Sequence, residues 1–333
     1  MELTTVADDE AVVHDGATVR TYGDLEPDTV YEFDGFTFRT LPRPGELLCR
    51  FATVNDVHFG ETECGVVEGM DVGPVYRSPE GAPPYPQTMN QAAVREISEV
   101  DPSAVVVKGD LTTHGIREEF REFLDCYEPV FGERLHYVRG NHDAYRGEDF
   151  ASDAPFYVDL PGVRLAVIDT TIPFETTGRV TAEQIEWLGD IAAASDAPVM
   201  VFGHHHCWSP DSRTRPEGYF GINCDDSEQL VDLFVRQTKL VGYFAGHTHR
   251  NRVRRFSATG DVPWVEVACV KDYPGAWAEY RVFEGGILQI HRRVSSPEAL
   301  AWTERTRDMF GGTYEQYAFG ELADRCFLIQ TSR

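Results

Sequence analysis

Five times between residues 48 and 249 an apolar run stops at a cluster of oxygen and imidazole donors. "FATV" gives way to Asn55-Asp56-Val57-His58, "AVVV" to Lys108-Gly109-Asp110, and "HYV", through Arg139, to Gly140-Asn141-His142-Asp143. "VMVF" ends at Gly203-His204-His205-His206 and "YFA" at Gly246-His247-Thr248-His249. Short apolar runs of this kind read as buried strands. The segments between them, "QTMNQAAVREISEV", "IREEFREFLDCYEPVF", "TAEQIEWLGDIAAA" and "SEQLVDLFVRQT", carry the period of amphipathic helices. Strands alternating with helices predict an α/β fold, and in an open α/β sheet sites form beyond the carboxyl ends of the strands. Five such ends would share one rim.

The rest of the chain divides around this core. Residues 1–48, with "ATVRTYGDLEPDTVYEFDGFTFRTLPRPG", are threonine- and aromatic-rich and broken by Asp-Gly and Pro-Gly turns, which predicts a small β appendage. Residues 49–294 hold every donor cluster. After His249, "NRVRRFSA", "PWVEVACV", "AEYRVFEG" and "ILQIHRRV" read as strands. Residues 295–333 read as a helix from about Pro297 to Met309 and an aromatic tail, packing on the core or on a second copy in a homo-oligomer. The start "MELTTVADDE" lacks a basic, apolar leader and no run is long enough to span a bilayer, so a cytoplasmic protein with no membrane association is expected. Seven scattered cysteines without a CxxC pair predict reduced thiols rather than disulfides or a thiolate zinc site. A formal charge of -25 repels polyanions, so no long nucleic acid is expected as partner.

Imidazole plus carboxylate without thiolate suits zinc, iron or manganese, and the donors suffice for two ions. Asp56-x-His58 and His247-x-His249 each leave one residue between donors, so on an extended segment both side chains of a pair face the same way; loop geometry can still send them to different ions. A carboxylate such as Asp110 can bridge ions roughly 3.5–4 Å apart, the arrangement that clamps the attacking and leaving oxygens of a phosphoryl displacement. The glycines before Asp110, Asn141, His204 and His247 are expected to let the backbone turn sharply. Singly, each motif is commonplace. Five in order, all after apolar runs, point to one shared site.

Those blocks, "DVH", "GDLT", "GNHD", "GHHH" and "GHTH", resemble the ordered signature of the calcineurin-like metallophosphoesterase superfamily, over about Leu48 to Val294. Within it the chain is similar to the class III cyclic-nucleotide phosphodiesterases and their phosphodiesterase relatives, which also carry the "GDLT" wording. The resemblance implies a four-layer α/β sandwich, two mixed β-sheets flanked by helices, with the β appendage added. It implies two divalent or mixed-valence transition-metal ions (Fe, Mn or Zn), with Asp56, His58, Asp110 and His249 on one and Asp110, Asn141, His204 and His247 on the other. It further implies hydrolysis of a small phosphoester by a metal-bridging hydroxide, with His142 facing the substrate as general acid and Asp143 orienting it. With Asp56 and Asp110 ionised, two divalent ions and one hydroxide give a formal site charge of about +1, which attracts a phosphodiester anion despite the acidic surface.

Departures narrow the substrate. Protein Ser/Thr phosphatases continue their second block to an arginine where this chain has His114, so a bidentate phosphate clamp is missing. Purple acid phosphatases carry a tyrosine ligand where this chain has Thr113. The missing clamp argues against a phosphoprotein monoesterase, and Thr113 means that no charge-transfer tyrosine is expected; a small phosphodiester, a cyclic nucleotide or a glycerophosphodiester, is the expected substrate, and a monoesterase, a nuclease and a non-catalytic metal-binding regulator are the alternatives. His114 and His205 are candidates for substrate contact or for supporting the donors. The proline-rich segment from Glu61 to Pro86 predicts either a lid over the metals or an ordered surface loop. Arg250, Arg252 and Arg254 fit an exposed face balanced by acidic neighbours better than a second phosphate site. "GGTYEQYAFG" offers a base-stacking platform, an oligomer contact or packing on its own core.

Overall fold

The computed structural model describes residues 1–67 and 69–331; residue 68 of the expected lid and residues 332–333 of the tail lie outside the described residues. The chain opens with β1 (Glu2–Val6), β2 (Ala11–Asp15) and β3 (Thr18–Tyr22), a small antiparallel sheet, then a hairpin of β4 (Val30–Phe33) and β5 (Phe36–Arg39). Asp34 and Gly35 close the hairpin with φ of 51° and 80°, the left-handed pair that a two-residue hairpin loop needs.

The core starts with β6 (Leu47–Val54), α1 (Tyr85–Glu99), β7 (Val105–Lys108), α2 (Arg117–Phe131), β8 (Leu135–Val138) and the single turn α3 (Asn141–Ala144). It continues with β9 (Phe156–Leu160), β10 (Val163–Val167), α4 (Ala182–Ala193), β11 (Val199–Phe202), α5 (Cys224–Arg236), β12 (Leu240–Ala245), β13 (Arg252–Arg254) and β14 (Trp264–Glu266). The long hairpin β15 (Ala276–Phe283) and β16 (Gly286–Arg293), α6 (Pro297–Thr306), short helical turns over 309–325 and β17 (Phe327–Ile329) complete it. One sheet runs β17-β16-β15-β6-β7-β8 and the other β13-β14-β12-β11-β10-β9. Both are mixed: β6, β7 and β8 are parallel while β15 is antiparallel to β6, and β10, β11, β12 and β14 are parallel while β9 and β13 run against them.

Side chains alternate between two cores, as the strand period of two requires. Phe51, Val106, Leu165, Val167, Phe202 and Tyr280 meet between the sheets, where Phe51 stacks on Tyr280 at 4.5 Å. Their neighbours Ala52, Val105 and Val107 face the other way, onto Met89, Phe123, Tyr127 and Trp302 of α1, α2 and α6. Ala166, Val199 and Val201 likewise pack on Leu188, Leu230 and Phe234 of α4 and α5. The expected four layers, helix, sheet, sheet, helix, are thus present.

The N-terminal sheet is stitched to the first core sheet rather than standing free. The Thr5 hydroxyl donates to the His291 carbonyl at 2.7 Å, and the His14 ring bridges the hydroxyls of Thr4 (2.8 Å) and Ser295 (3.0 Å). Buried Arg281 pairs with Asp8, Asp9 and Glu279 at 2.6–2.7 Å. Among the described residues no helix is long and apolar enough to cross a membrane.

Candidate metal centre

The sharp turns at the strand ends are made by the donors themselves. Asp56, His58, Asp110, His247 and His249 have φ of 55°, 49°, 49°, 66° and 56°. Left-handed backbone costs a non-glycine residue roughly 1–3 kcal/mol and persists only where the surroundings over-determine it. Of the glycines expected to provide the turning, Gly109 alone has a left-handed φ, of 88°, and Gly140 serves instead as space: a Cβ there would strike the Asp110 carboxylate and backbone nitrogen. Two residues outside the motif reading tie the sheets together beneath the donors. Asn55 at the end of β6 donates its amide to the carbonyls of Val267 (3.0 Å) and Ala268 (3.3 Å). Lys108 at the end of β7, fully buried, donates to the Ala245 carbonyl at the end of β12 at 3.0 Å. Burial pulls its ammonium down to about 7.

On this base the donors converge. Asp56, His58, Asp110 and His249 each place one ligand atom within 4.8 Å of the others, and so do His204, His205 and His247. The two groups meet at Asp110, whose Oδ2 lies 3.4 Å from Nε2 of His58 and 3.4 Å from Nε2 of His204. His249 Nε2 stands 3.6 Å from Asp56 Oδ1. Asn141 joins the second group, with its Oδ1 3.0 Å from His204 Nε2 and 2.9 Å from His247 Nδ1. The Asn141 amide is oriented by donating to the Tyr145 hydroxyl at 2.6 Å. Backbone N–H groups hold the carboxylates in turn: His247 donates to both Asp56 oxygens (3.0 and 3.2 Å), and His142 donates to Asp110 Oδ1 (3.0 Å).

This donor set fits cations. His204 donates Nδ1–H to the Lys108 carbonyl at 2.8 Å, so Nε2 is the nitrogen turned toward the oxygens of Asn141 and Asp110. Among the described residues, both ring nitrogens of buried His58, and Nε2 of His247, have no hydrogen-bond partner. Buried polar atoms without partners are costly, and a bound cation would satisfy them. Burial pulls His58 and His247 well below the usual imidazole range. Burial also disfavours the charged form of His204, but the adjacent Asp110 carboxylate outweighs it and pushes the ring up to about 9. For Asp110, burial opposes ionisation, while His204 and His142 hold it well below the carboxylate range. The proton shared by this pair occupies the position where a divalent ion would do the same electrostatic work.

The remaining candidates separate. His142 donates Nδ1–H to the Thr113 carbonyl at 2.8 Å, which leaves Nε2 as the free nitrogen, and the residue lines the cleft described below. Asp143 does not orient it. Fully buried, Asp143 accepts from the backbone of Leu111 (3.0 Å), Thr112 (2.8 Å) and Gly140 (2.7 Å) and from the Thr112 hydroxyl (2.7 Å), locking the second and third blocks together. Its role is architectural, and burial with the Asp110 charge pushes it up to about 6. His114 does not reach the substrate space either: it is tied to Glu119 at 2.5 Å, with its side chain 54% exposed. His205 is fully buried, with Nε2 donating to the Thr176 carbonyl at 3.1 Å and Nδ1 accepting from the Thr170 hydroxyl at 2.8 Å. Both nitrogens are engaged, so it has no lone pair for a metal and no face for a substrate. A third donor group, His249, Cys269 and Asp272, is closed by the Cys269 thiol donating to Asp272 at 2.9 Å. Burial pushes that thiol well above its usual range, so it offers no thiolate.

Above the donors lies a cleft of about 700 Å³, walled by two segments that the motif blocks do not include. Residues from 61 to 67 line it, so the beginning of the expected lid flanks the donors. Met309, Phe310, Tyr314 and Tyr317 of the aromatic tail line it too, as does Phe220, with its ring 4.1 Å from that of His247. The walls are pinned by Lys271 and Asp272: the ammonium pairs with Glu61 at 2.6 Å and with Asp272 at 3.3 Å, and Asp272 accepts from the Tyr314 hydroxyl at 2.7 Å. The signal for this pair was in the sequence, since "VACV" before Lys271-Asp272 repeats the pattern of an apolar run ending in polar residues. Arg250 and Arg254 are balanced by buried Glu266 at 2.8 and 3.4 Å, but both are half-buried and Arg252 alone of the three is exposed, so the acidic partner is as expected and the exposed face is not.

Comparison with known proteins places the chain. A probable cyclic nucleotide phosphodiesterase of Rhodococcus erythropolis is 27% identical over 47% of this chain and 54% of its own. The glycerophosphodiester phosphodiesterase GpdQ of Enterobacter lignolyticus is 29% identical over 44% of this chain and 56% of its own, so the chain spans about half the length of these curated relatives. The fold matches that of a dimetal phosphatase from Danio rerio with a TM-score of 0.53 at 15% identity, covering 75% of this chain and 97% of the other. Residues 49–251 match the calcineurin-like phosphoesterase family. All five donor blocks fall inside that stretch, and the chain therefore belongs to the calcineurin-like phosphoesterases.

Proposed function

We propose that this protein is a metal-dependent phosphoesterase that holds two transition-metal ions and hydrolyses a small phosphodiester. The observation that carries this is the single Asp110 oxygen equidistant from His58 and His204, 3.4 Å from each, with donor groups on both sides of it. Asp56, His58, Asp110 and His249 would hold one ion, and Asp110, Asn141, His204 and His247 the other; iron, manganese or zinc suits their nitrogen and oxygen donors. Such ions supply positive charge for phosphoryl oxygens and lower the pKa of water towards roughly 7, making hydroxide available. His142 Nε2 would hold the proton that the departing ester oxygen takes. The diester class is supported by the names of the relatives and by the residue at His114, which brings no guanidinium to the cleft. The acidic surface argues against a long nucleic acid.

Elemental analysis of the purified protein should find close to two transition-metal ions per chain, with turnover of bis(p-nitrophenyl) phosphate. Asp110→Ala should lose that turnover and at least one ion. A variant that kept both ions and wild-type rates would show that the bridge is misplaced.

A further inference from the structure

We infer that Tyr317, in the tail outside the family-matched stretch, is a positioning residue for the His247-Thr248-His249 turn. Thr248 sits between two histidines that both carry left-handed backbone, with φ of 66° and 56°. Such a turn relaxes unless something outside it over-determines the conformation. Asp56 constrains the turn through the His247 nitrogen, and the tail adds a second constraint through Thr248. The Tyr317 hydroxyl donates to the Thr248 carbonyl at 2.9 Å. One residue beyond the turn's arginine, the Asn251 backbone donates to the Ala318 carbonyl at 2.9 Å, and the Asn251 side chain donates to Ala318 and Phe319 at 3.3 and 3.2 Å. Gly320 closes against this strand so tightly that a Cβ would collide with the Asn251 carbonyl.

Tyr317 is 43% exposed, so core packing does not account for it. Its ring lies under the Arg250 guanidinium at 5.2 Å and beside Tyr314 at 6.2 Å, which directs the hydroxyl at Thr248. The same segment also forms a wall of the cleft. The tail and the histidine turn therefore form one unit, and the tail completes a site whose motif lies elsewhere. Partners outside the ligand shell tune a metal site by fixing the orientation of its ligands, and losing one commonly weakens metal binding roughly 10–100-fold.

The inference rests on reading His247 and His249 as ligands, and its test is separate from the test of diester hydrolysis. Tyr317→Phe removes only the hydroxyl. Titrating the metal-free full-length protein with Mn2+ against a chromogenic chelator should show the dissociation constant raised about 10-fold or more, while the melting temperature of the metal-free protein stays at the wild-type value. The kcat on bis(p-nitrophenyl) phosphate at saturating Mn2+ should recover towards wild type. An unchanged dissociation constant would overturn the inference, as would weaker binding that only accompanies a lower metal-free melting temperature. A protein that binds Mn2+ but leaves diesters intact would refute the proposed activity while leaving the role of Tyr317 standing.

Discussion

His142 shows what one hydrogen bond decides. Its Nδ1–H is committed to the Thr113 carbonyl, so any proton exchanged with a substrate travels through Nε2. Its tie to Asp110 runs through the backbone nitrogen, which every substitution except proline retains. His142→Ala should therefore leave metal content unchanged while removing the acid. With an alkoxide leaving group, which needs the proton, the loss should fall within the roughly 10²–10⁴-fold range of general acid catalysis. With bis(p-nitrophenyl) phosphate, whose nitrophenolate leaves unprotonated, it should be much smaller. Equal losses on both substrates with metals retained would remove His142 from the acid role. The two other candidate histidines, His114 and His205, differ from it in what surrounds them: Glu119 claims one, Thr170 and Thr176 the other. Those partners are distant in sequence or unremarkable in type, so no motif announces them. The donors were legible because strand ends are visible as the stopping points of apolar runs, whereas the strain that aims them, carried by the donors' own φ angles, leaves no mark on residue identity.

At the scale of elements, the unbroken apolar runs "FATV", "AVVV" and "VMVF" read as strands buried on both faces, whereas the four layers were legible only through the family resemblance. What stayed hidden was contact between segments far apart in the chain. The tail from Met309 to Tyr317 and the segment from Glu61 to Val67 share no pattern, yet they line one cleft. The N-terminal sheet is similar, held to the core through His14 between Thr4 and Ser295. Burial, with the Arg293 charge in support, pulls that imidazole from 6.5 down to about 3. Between those values the unfolded chain binds a proton that the folded chain refuses, so His14 makes stability fall as pH drops below about 6.5, by up to roughly 1.4 kcal/mol per unit. His14→Gln keeps a polar side chain that does not titrate. Its melting temperature should fall less steeply than that of the wild type between pH 7 and pH 5. Parallel curves would show that the N-terminal anchor does not depend on a neutral His14.

Over the whole molecule, a formal charge of -25 surrounds the cleft proposed to receive an anionic phosphoester. The rim does little to offset that charge, since Lys271 is already shared between Glu61 and Asp272, and Glu63 adds a further carboxylate to the lining. An approaching phosphoester therefore meets long-range repulsion before it meets any local attraction, and a dianion meets about twice as much as a monoanion. Salt screens the distant charges first, because the Debye length shrinks from roughly 30 Å at 0.01 M to roughly 10 Å at 0.1 M. Partly buried charges inside the cleft are screened much less. Raising an inert 1:1 salt across that range, with metal saturating, should increase kcat/KM for both bis(p-nitrophenyl) phosphate and p-nitrophenyl phosphate while leaving kcat nearly constant. The logarithmic slope should be about twice as steep for the dianionic monoester. The advantage of the diester should thus be largest at low salt and narrow as salt rises. A kcat/KM that falls with salt for both substrates would mean that the donor site, rather than the surface, governs encounter. In that case the diester preference would have to come from the cleft walls contributed by residues 61–67 and the aromatic tail.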